Sequence, residues 1–564
     1  MTTVSRLPIA LALVACLLPT GLAADQDEGP YDLIIRGGRV VDGTGNPWRF
    51  ADVAIRGDRV AVVGRIPDDT PSARTIDATG LVVAPGFIDI HSHSDRVLFE
   101  SGAAESKIRQ GVTTDILGEH TSGGPNVEPV EETIAGEPVR IASMGDYLSA
   151  VERSGIAINV ASYAGLGNIW GGVMGASFDR PTESQFQAME ELLDRAMADG
   201  ALGLSTMIMH PQSLGVTVDD LARLCGVVAR HGGIYSSHIR TEGEGVMEAI
   251  AEAIAVGELA GVPVEIIHLK IADQSLWGRM DEIVATIDAA RARGVDVQAN
   301  VYPYTRGNND LVSIIPPWAH EGGRDALLSR LADPEARERM KVDILAGLPG
   351  WYNHYLAVGG DWSRMLISAK LTPEHKRFEG KTMDVVLAGL AAGQDPSPDP
   401  LDLMFDFLRA EGGSIGTIYA HHTEEDMNLA LVQPWCSIGS DGSALAIDGP
   451  LRRGHPHPRN FGTFPRVLGH YVRERQLLGL EEAIRKMTSQ NAAKAGLLDR
   501  GLLRPGAFAD VTVFDPETVI DRSTYLEPFQ YSEGITHVVV NGTLVLDDGR
   551  STGARPGRAL RRER

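Results

Sequence analysis

Apolar and polar positions follow three textures along the chain. From Tyr31 to Pro85, short alternating runs (LIIRGGRVV, DVAIRGDRVAVVG, LVVAPG) are separated by glycine-containing turns, with Gly57-Asp58 as a hairpin signal. A period of two puts one face of each run into a core. The same texture returns in AFADVTVFD, Ala507 to Asp515, and in ITHVVVNG, Ile535 to Gly542. The flanking segments 31–85 and 501–550 are expected to form one small β-sandwich domain built from both chain ends.

Between them, buried-strand runs alternate with helix-periodic stretches. Strands are expected at Ile156 to Tyr163, Ala201 to Thr206, the run ending at His238, Val262 to His268, and Val295 to Tyr302. Helices are expected at Thr182 to Asp199, Val218 to His231, Glu244 to Ala260, Met280 to Arg293 and Leu480 to Ala493. Thr182 with Gln185 three residues on reads as a capping box. Repeated βα units favour a parallel sheet, and this many favour a (β/α)8 TIM barrel, placed at 86–500. The rhythm breaks at about 324–413, expected to be an insertion over one barrel face, with the barrel resuming near Ile418.

The strand-like run FIDIHSH, Phe87 to His93, carries chemistry. Residues i and i+2 share a strand face, so His91 and His93 point into one space, a good start to a divalent-metal site. His238 and His268 each end a strand, and Asp441 follows the apolar run before CSIGSDGS. Barrel active sites form at those ends. Arg240 and Lys270 stand two residues beyond their histidines. A cation there needs an anion, so each is expected either to clamp a substrate carboxylate or to form a salt bridge to Glu242 or Asp441. Tyr302 and Tyr304 could add hydroxyl donors.

Composition narrows the possibilities. With 52 basic against 75 acidic side chains, the chain lacks the basic balance of a nucleic-acid binder. Arg6, the apolar stretch Leu7 to Leu18 and the small residues up to Ala24 read as a signal peptide over 1–24, implying export to the periplasm or medium. The rival is a lipobox, with membrane anchoring at Cys16. If Cys16 leaves with the signal, two cysteines remain, too few for a disulfide framework. The arginine-rich segment 551–564 is expected to be a disordered basic tail.

The motifs GFIDIHSHSD, GVTTDILGE, GALGLST, YSSHIRTEG, IIHLK, VYPYT, IGSDG, HPHPRNFGTFPRVL and KMTSQNAAKAGLLDRG, in this order, resemble those of the amidohydrolase superfamily and, within it, the D-aminoacylase (N-acyl-D-amino-acid deacylase) family. The resemblance implies a zinc-dependent hydrolase with one or two ions, cleaving the amide of N-acyl-D-amino acids. It implies His91, His93, His238 and His268 as metal ligands and Asp441 as the catalytic aspartate. Arg240, Lys270 and Tyr302 are expected to bind the substrate carboxylate. One position departs. The family pattern after GVTT ends in Gly-Asn-Cys, whereas this chain reads Gly118-Glu119-His120. Related members carry Gly-Glu-Gly, which makes Glu119 the expected ligand, able to bridge two metals, with His120 as its rival. Alternatives are a dipeptidase or cyclic amidase of the same superfamily, or a non-catalytic binding protein. The partner is a small molecule, an N-acyl amino acid or a D-containing dipeptide. The sequence leaves side-chain preference and oligomeric state open.

Overall fold

A computed structural model of the chain describes residues 29–134 and 136–562. The expected signal peptide, with Cys16, lies outside the described residues.

Eight parallel strands form a closed barrel: Phe87–Asp89, Val112–Leu117, Asn159–Ser162, Gly203–Met207, Ile234–His238, Val264–Ile266, Val297–Val301 and Cys436–Ile438. The third strand pairs with the second through Asn159↔Thr114, and its continuation Ala164–Gly165 pairs with the fourth through Ala164↔Leu204. The eighth closes on the first at the Ser92↔Gly442 bridge, where Asp441 N donates to His91 O at 2.8 Å. Strands such as Ile234–His238 are buried at every residue, because helices cover the outside and side chains fill the inside. Helices Glu183–Ala198, Val218–Arg230, Val246–Ala260 and Met280–Ala292 fall within the expected stretches. The capping box forms: Thr182 accepts from Gln185 N, and the Gln185 side chain returns to Thr182 N.

The two chain ends meet where Val82–Pro85 pairs antiparallel with Val511–Phe514. The flanking strands hydrogen-bond into one nine-stranded mixed sheet rather than two separate ones. Leu33, Val53, Val83, Val511 and Val539 lie in its core.

Two expectations change. The insertion is wider than 324–413. Gly307–Asp310, Met365–Ile367 and Gly416–Tyr419 form a separate antiparallel sheet over a core of their own, including Leu311, Met365, Phe405 and Tyr419. The run around Ile418 therefore belongs to the insertion, and the barrel resumes at Cys436. A short apolar run reads as a buried strand whichever sheet receives it. Residues 551–562 are also ordered against the barrel. Gly557 N donates to Ile156 O at 2.9 Å, Leu560 N donates to Val160 O at 2.7 Å, and Arg558 pairs with Asp58 at 2.7 Å. The arginines find acids and carbonyls while Ala559 is buried, a packing that composition alone conceals.

The barrel interior holds an unusual carboxylate. Glu265 is fully buried. Its Oε1 accepts from Asn300 Nδ2 at 2.8 Å, while Oε2 has no hydrogen-bond partner among the described residues. Burial pushes its carboxyl up to about 7 from an ordinary 4.5. The folded state then holds a proton that the unfolded state releases. Stability is full below the unfolded value and is lost as pH rises through the folded one, on the order of 3 kcal/mol. Relative to the parent protein, Glu265→Gln should thus be more stabilising at pH 8 than at pH 5 in urea unfolding. The same difference at both pH values would mean that Glu265 does not titrate in this window.

Candidate metal centre

The site lies at the C-terminal mouth of the barrel. His91 and His93 sit just past the first strand, Glu119 past the second, His238 ends the fifth, His268 follows the sixth and Asp441 follows the eighth. Glu119 is the hub. Its Oε2 lies 2.7 Å from His91 Nε2 and 3.0 Å from His93 Nε2. Its Oε1 lies 2.6 Å from His238 Nδ1 and 3.9 Å from His268 Nε2. Asp441 Oδ1 stands 2.9 Å from His93 Nε2. Ligand atoms of His91, His93, Glu119 and Asp441 all fall within 4.8 Å of one another, as do those of Glu119, His238 and His268. Two groups that share one carboxylate suit a pair of divalent ions, and imidazole with carboxylate suits zinc.

Backbone conformation aims several of these groups. His120, His268 and Asp441 have φ of +54°, +38° and +51°, left-handed values that are costly for side chains with a Cβ. Beneath the ligands, the fully buried Lys107 ties the first and last strand ends together. Its Nζ donates to Asp89 Oδ2 at 2.6 Å and to Ser92 Oγ and Ser440 Oγ at 3.0 Å. Asp89 Oδ1 in turn accepts from Ser440 N at 2.8 Å. The loops that carry His91, His93 and Asp441 thus share one anchor. Behind His268, Glu242 Oε1 lies 3.1 Å from His268 Nδ1, the outer-shell carboxylate that fixes a ligating imidazole.

Burial would raise both site carboxyls. The histidines around Glu119 outweigh it and hold that carboxyl well below the usual range. For Asp441 the Arg459 guanidinium, with Nη1 2.7 Å from Oδ2, does the same. Both groups are therefore anionic at neutral pH. His120 takes no part in either ligand group. It packs on His210 at 4.8 Å between ring centroids, and burial pushes its pKa down to about 3. The geometry favours Glu119 over His120.

A family model described as the amidohydrolase family matches residues 74–280 and 413–546. The D-aminoacylase of Alcaligenes xylosoxydans xylosoxydans is 35% identical over 549 residues, covering 96% of this chain and 99% of that protein. The chain belongs to the amidohydrolase family, in its D-aminoacylase branch. The N-acyl-D-aspartate deacylase of the same organism is 32% identical, covering 95% of this chain and 96% of that one. A crystal structure of N-acyl-D-glutamate deacylase from Bordetella bronchiseptica, complexed with zinc and a phosphonate inhibitor, superposes with a TM-score of 0.77 at 32% identity over 94% of this chain and 100% of that one.

In this amidohydrolase the expected carboxylate binders part company. Arg240 leaves the site. Its Nε donates to Glu252 Oε2 at 2.8 Å, and its Nη1 and Nη2 donate to the carbonyls of Leu214 and Val216 at 2.8 and 2.6 Å. The strand ends at His238, so a period of two no longer governs two residues later. Lys270 stays near but is spent. Its Nζ donates to Glu242, and lies 2.8 Å from His268 Nδ1 and 2.9 Å from His268 O. It is the partner of a nearby acid rather than a substrate clamp. Tyr302 does face the site: its hydroxyl is buried with no hydrogen-bond partner among the described residues.

The residue that the motif reading passed over is Arg459. It is 4% exposed and its guanidinium carbon lies 4.9 Å from the Tyr302 ring centre. Its Nε and Nη1 hydrogens find no acceptor of hydrogen-bond geometry among the described residues. His457 sets its backbone, Nδ1 accepting from Arg459 N at 3.0 Å while Nε2 donates to Arg306 O. The signal was present in HPHPRNFG, but no strand-end rule points to it. Lys107 was missed for the same reason, whereas Glu242 stands where the salt-bridge alternative for Lys270 expected it.

Proposed function

We propose that this amidohydrolase hydrolyses the amide bond of N-acyl-D-amino acids to a carboxylate and a free D-amino acid. One observation carries the reading. A two-part ligand cluster centred on Glu119 adjoins Arg459, which lines a cavity of about 330 Å³, pairs with Asp441 through Nη1 and leaves Nε without an acceptor among the described residues; Tyr302, its hydroxyl likewise unpartnered among them, lies against the Arg459 guanidinium. A substrate with an α-carboxylate next to its scissile amide meets both halves.

His91, His93, Glu119, His238 and His268 would hold zinc, one or two ions, with Asp441 at its edge. When bound, the metal supplies Lewis acidity to the scissile carbonyl and to the attacking water. Asp441, ionised at neutral pH, orients that water, accepts its proton at a carboxylate oxygen and delivers it to the departing nitrogen. Arg459 and Tyr302 hold the α-carboxylate. With that anchor and the carbonyl fixed, the direction left open to the side chain decides between enantiomers.

The test is a screen of N-acetyl-D- and L-amino acids, D-containing dipeptides and hydantoins on purified protein, with zinc assayed in parallel. Turnover confined to the D-acyl compounds, lost on chelation and restored by zinc, is expected. Preference for dipeptides or cyclic substrates would replace this reading. Arg459→Met should lower kcat/KM for substrates with a free α-carboxylate by about one to two decades relative to their α-amide analogues, the worth of a charge-assisted contact. Lys270→Met should lower both equally and depress thermal stability, because it leaves the buried Glu242 with only histidine partners and no lysine. The reverse pattern would return the clamp to Lys270.

We also propose export, from the charged, apolar and small-residue order of residues 1–24. Amino-terminal sequencing of protein from cell fractions distinguishes a start near Asp25 from a lipid-modified Cys16. Among the described residues, no helix is long and apolar enough to cross a membrane.

A further inference from the structure

We infer that the substrate's amino-acid side chain is uncharged, and that a cavity lining without a spare lysine or arginine, Asn308 included, sets this preference against the N-acyl derivatives of D-glutamate and D-aspartate. The inference rests on the proposed deacylase activity, and it concerns a choice that the three relatives above leave open. They include a D-aminoacylase, a D-aspartate enzyme and a D-glutamate enzyme at 32–35% identity.

Among the described residues lining the cavity, Arg459 is the only lysine or arginine. Holding the α-carboxylate uses it. Lys270, the next cation inward, gives its Nζ to Glu242 and His268. Arg306 turns away, its guanidinium 4.4 Å from the Tyr525 ring centre.

With the carbonyl at the ligand cluster and the α-carboxylate at Arg459, three stretches of wall remain for the side chain and the acyl group: His120, Thr121 and Met207; Asn308 and Asn309; and Ser443, His457 and Asn460. None carries a lysine or arginine, so the conclusion holds whichever stretch receives the side chain. Asn309 is committed inward, its Nδ2 3.2 Å from His354 Nε2. Asn308 is exposed and accepts from Ser368 Oγ at 2.7 Å through its Oδ1. A second carboxylate meets no lysine or arginine on any of these walls, and where it passes the buried His120 it also gives up water, which is costly. An amide, hydroxyl, thioether or hydrocarbon of the same size pays far less.

The experiment compares N-acetyl-D-glutamine with N-acetyl-D-glutamate, isosteres that differ in charge. Hydrolysis is measured on zinc-loaded enzyme. Binding is measured by calorimetry on Asp441→Asn, so that affinity is read without turnover. A preference for the glutamine compound of at least about a hundredfold in kcat/KM and about tenfold or more in Kd is expected. Asn308→Arg should narrow both ratios by about tenfold, chiefly by improving the acid. Equal or better binding of the glutamate compound by the protein with Asn308 intact overturns the inference. Hydrolysis of neither compound would count against the deacylase reading, while the two dissociation constants still decide this one.

Discussion

Asp441→Asn should fold normally, keep its zinc, and lose about three to four orders of magnitude in kcat, the range of a positioned general acid–base group. Asparagine preserves the shape and the contact with His93 but cannot accept a proton. The parent carboxylate suits the task because Arg459, 2.7 Å away, and His91 keep it anionic despite its burial. Its Oδ1 stands 2.9 Å from His93 Nε2, at the rim of the ligand cluster, where an attacking water would sit. Arg459 keeps its hold on the substrate carboxylate, so KM should change only severalfold. The loss should shrink for an ester analogue, whose alkoxide leaves with less need of a proton than an amine does. An effect confined to KM, or an equal loss for ester and amide with zinc gone, would make Asp441 a structural ligand instead.

Much of this site was legible in the sequence, for a definite reason. His91, His93, His238, His268 and Asp441 stand at the ends of apolar runs, and a parallel barrel collects all such ends at one mouth. The barrel and the pairing of the two chain ends follow from the same periodicities. Legibility fails where the strand does. Period two places residues on a face only while hydrogen bonds to neighbouring strands continue. The sixth strand stops at Ile266, and His268 follows with φ +38°, so the position of Lys270 had no rule behind it. Arg459 and Lys107 reach the site from outside the barrel strands, on helices Arg459–Arg466 and Glu105–Ile108. Their roles depend on tertiary distance, which no local pattern encodes. The insertion was undersized because its first strand, Gly307–Asp310, reads GNND and carries no apolar signal.

Glu119→Ala should remove metal from both halves of the site and bring turnover to background, at least about a thousandfold down, whereas His120→Ala should keep its metal. The asymmetry follows from sharing. Each histidine ligand serves one group, but the Glu119 carboxylate faces His91 and His93 with one oxygen and His238 with the other. Losing it takes a ligand from two ions at once and removes the negative charge that offsets theirs. Without Glu119 the His238–His268 group keeps no carboxylate and the His91–His93 group keeps only Asp441, so the buried site loses a ligand in each half and much of the negative charge that offsets the ions. Glu119→Gln sharpens the test: it keeps the volume and one oxygen acceptor but not the charge, so its occupancy should lie between the parent and the alanine variant. His120 lies against His210 and touches neither ligand group, so its loss removes packing alone. Metal content after exhaustive dialysis against zinc-buffered solution, measured beside circular dichroism to verify the fold, decides the matter. If His120→Ala sheds more zinc than Glu119→Ala, the ring must turn from His210 toward the cluster when metal binds, and the ligand role passes to it.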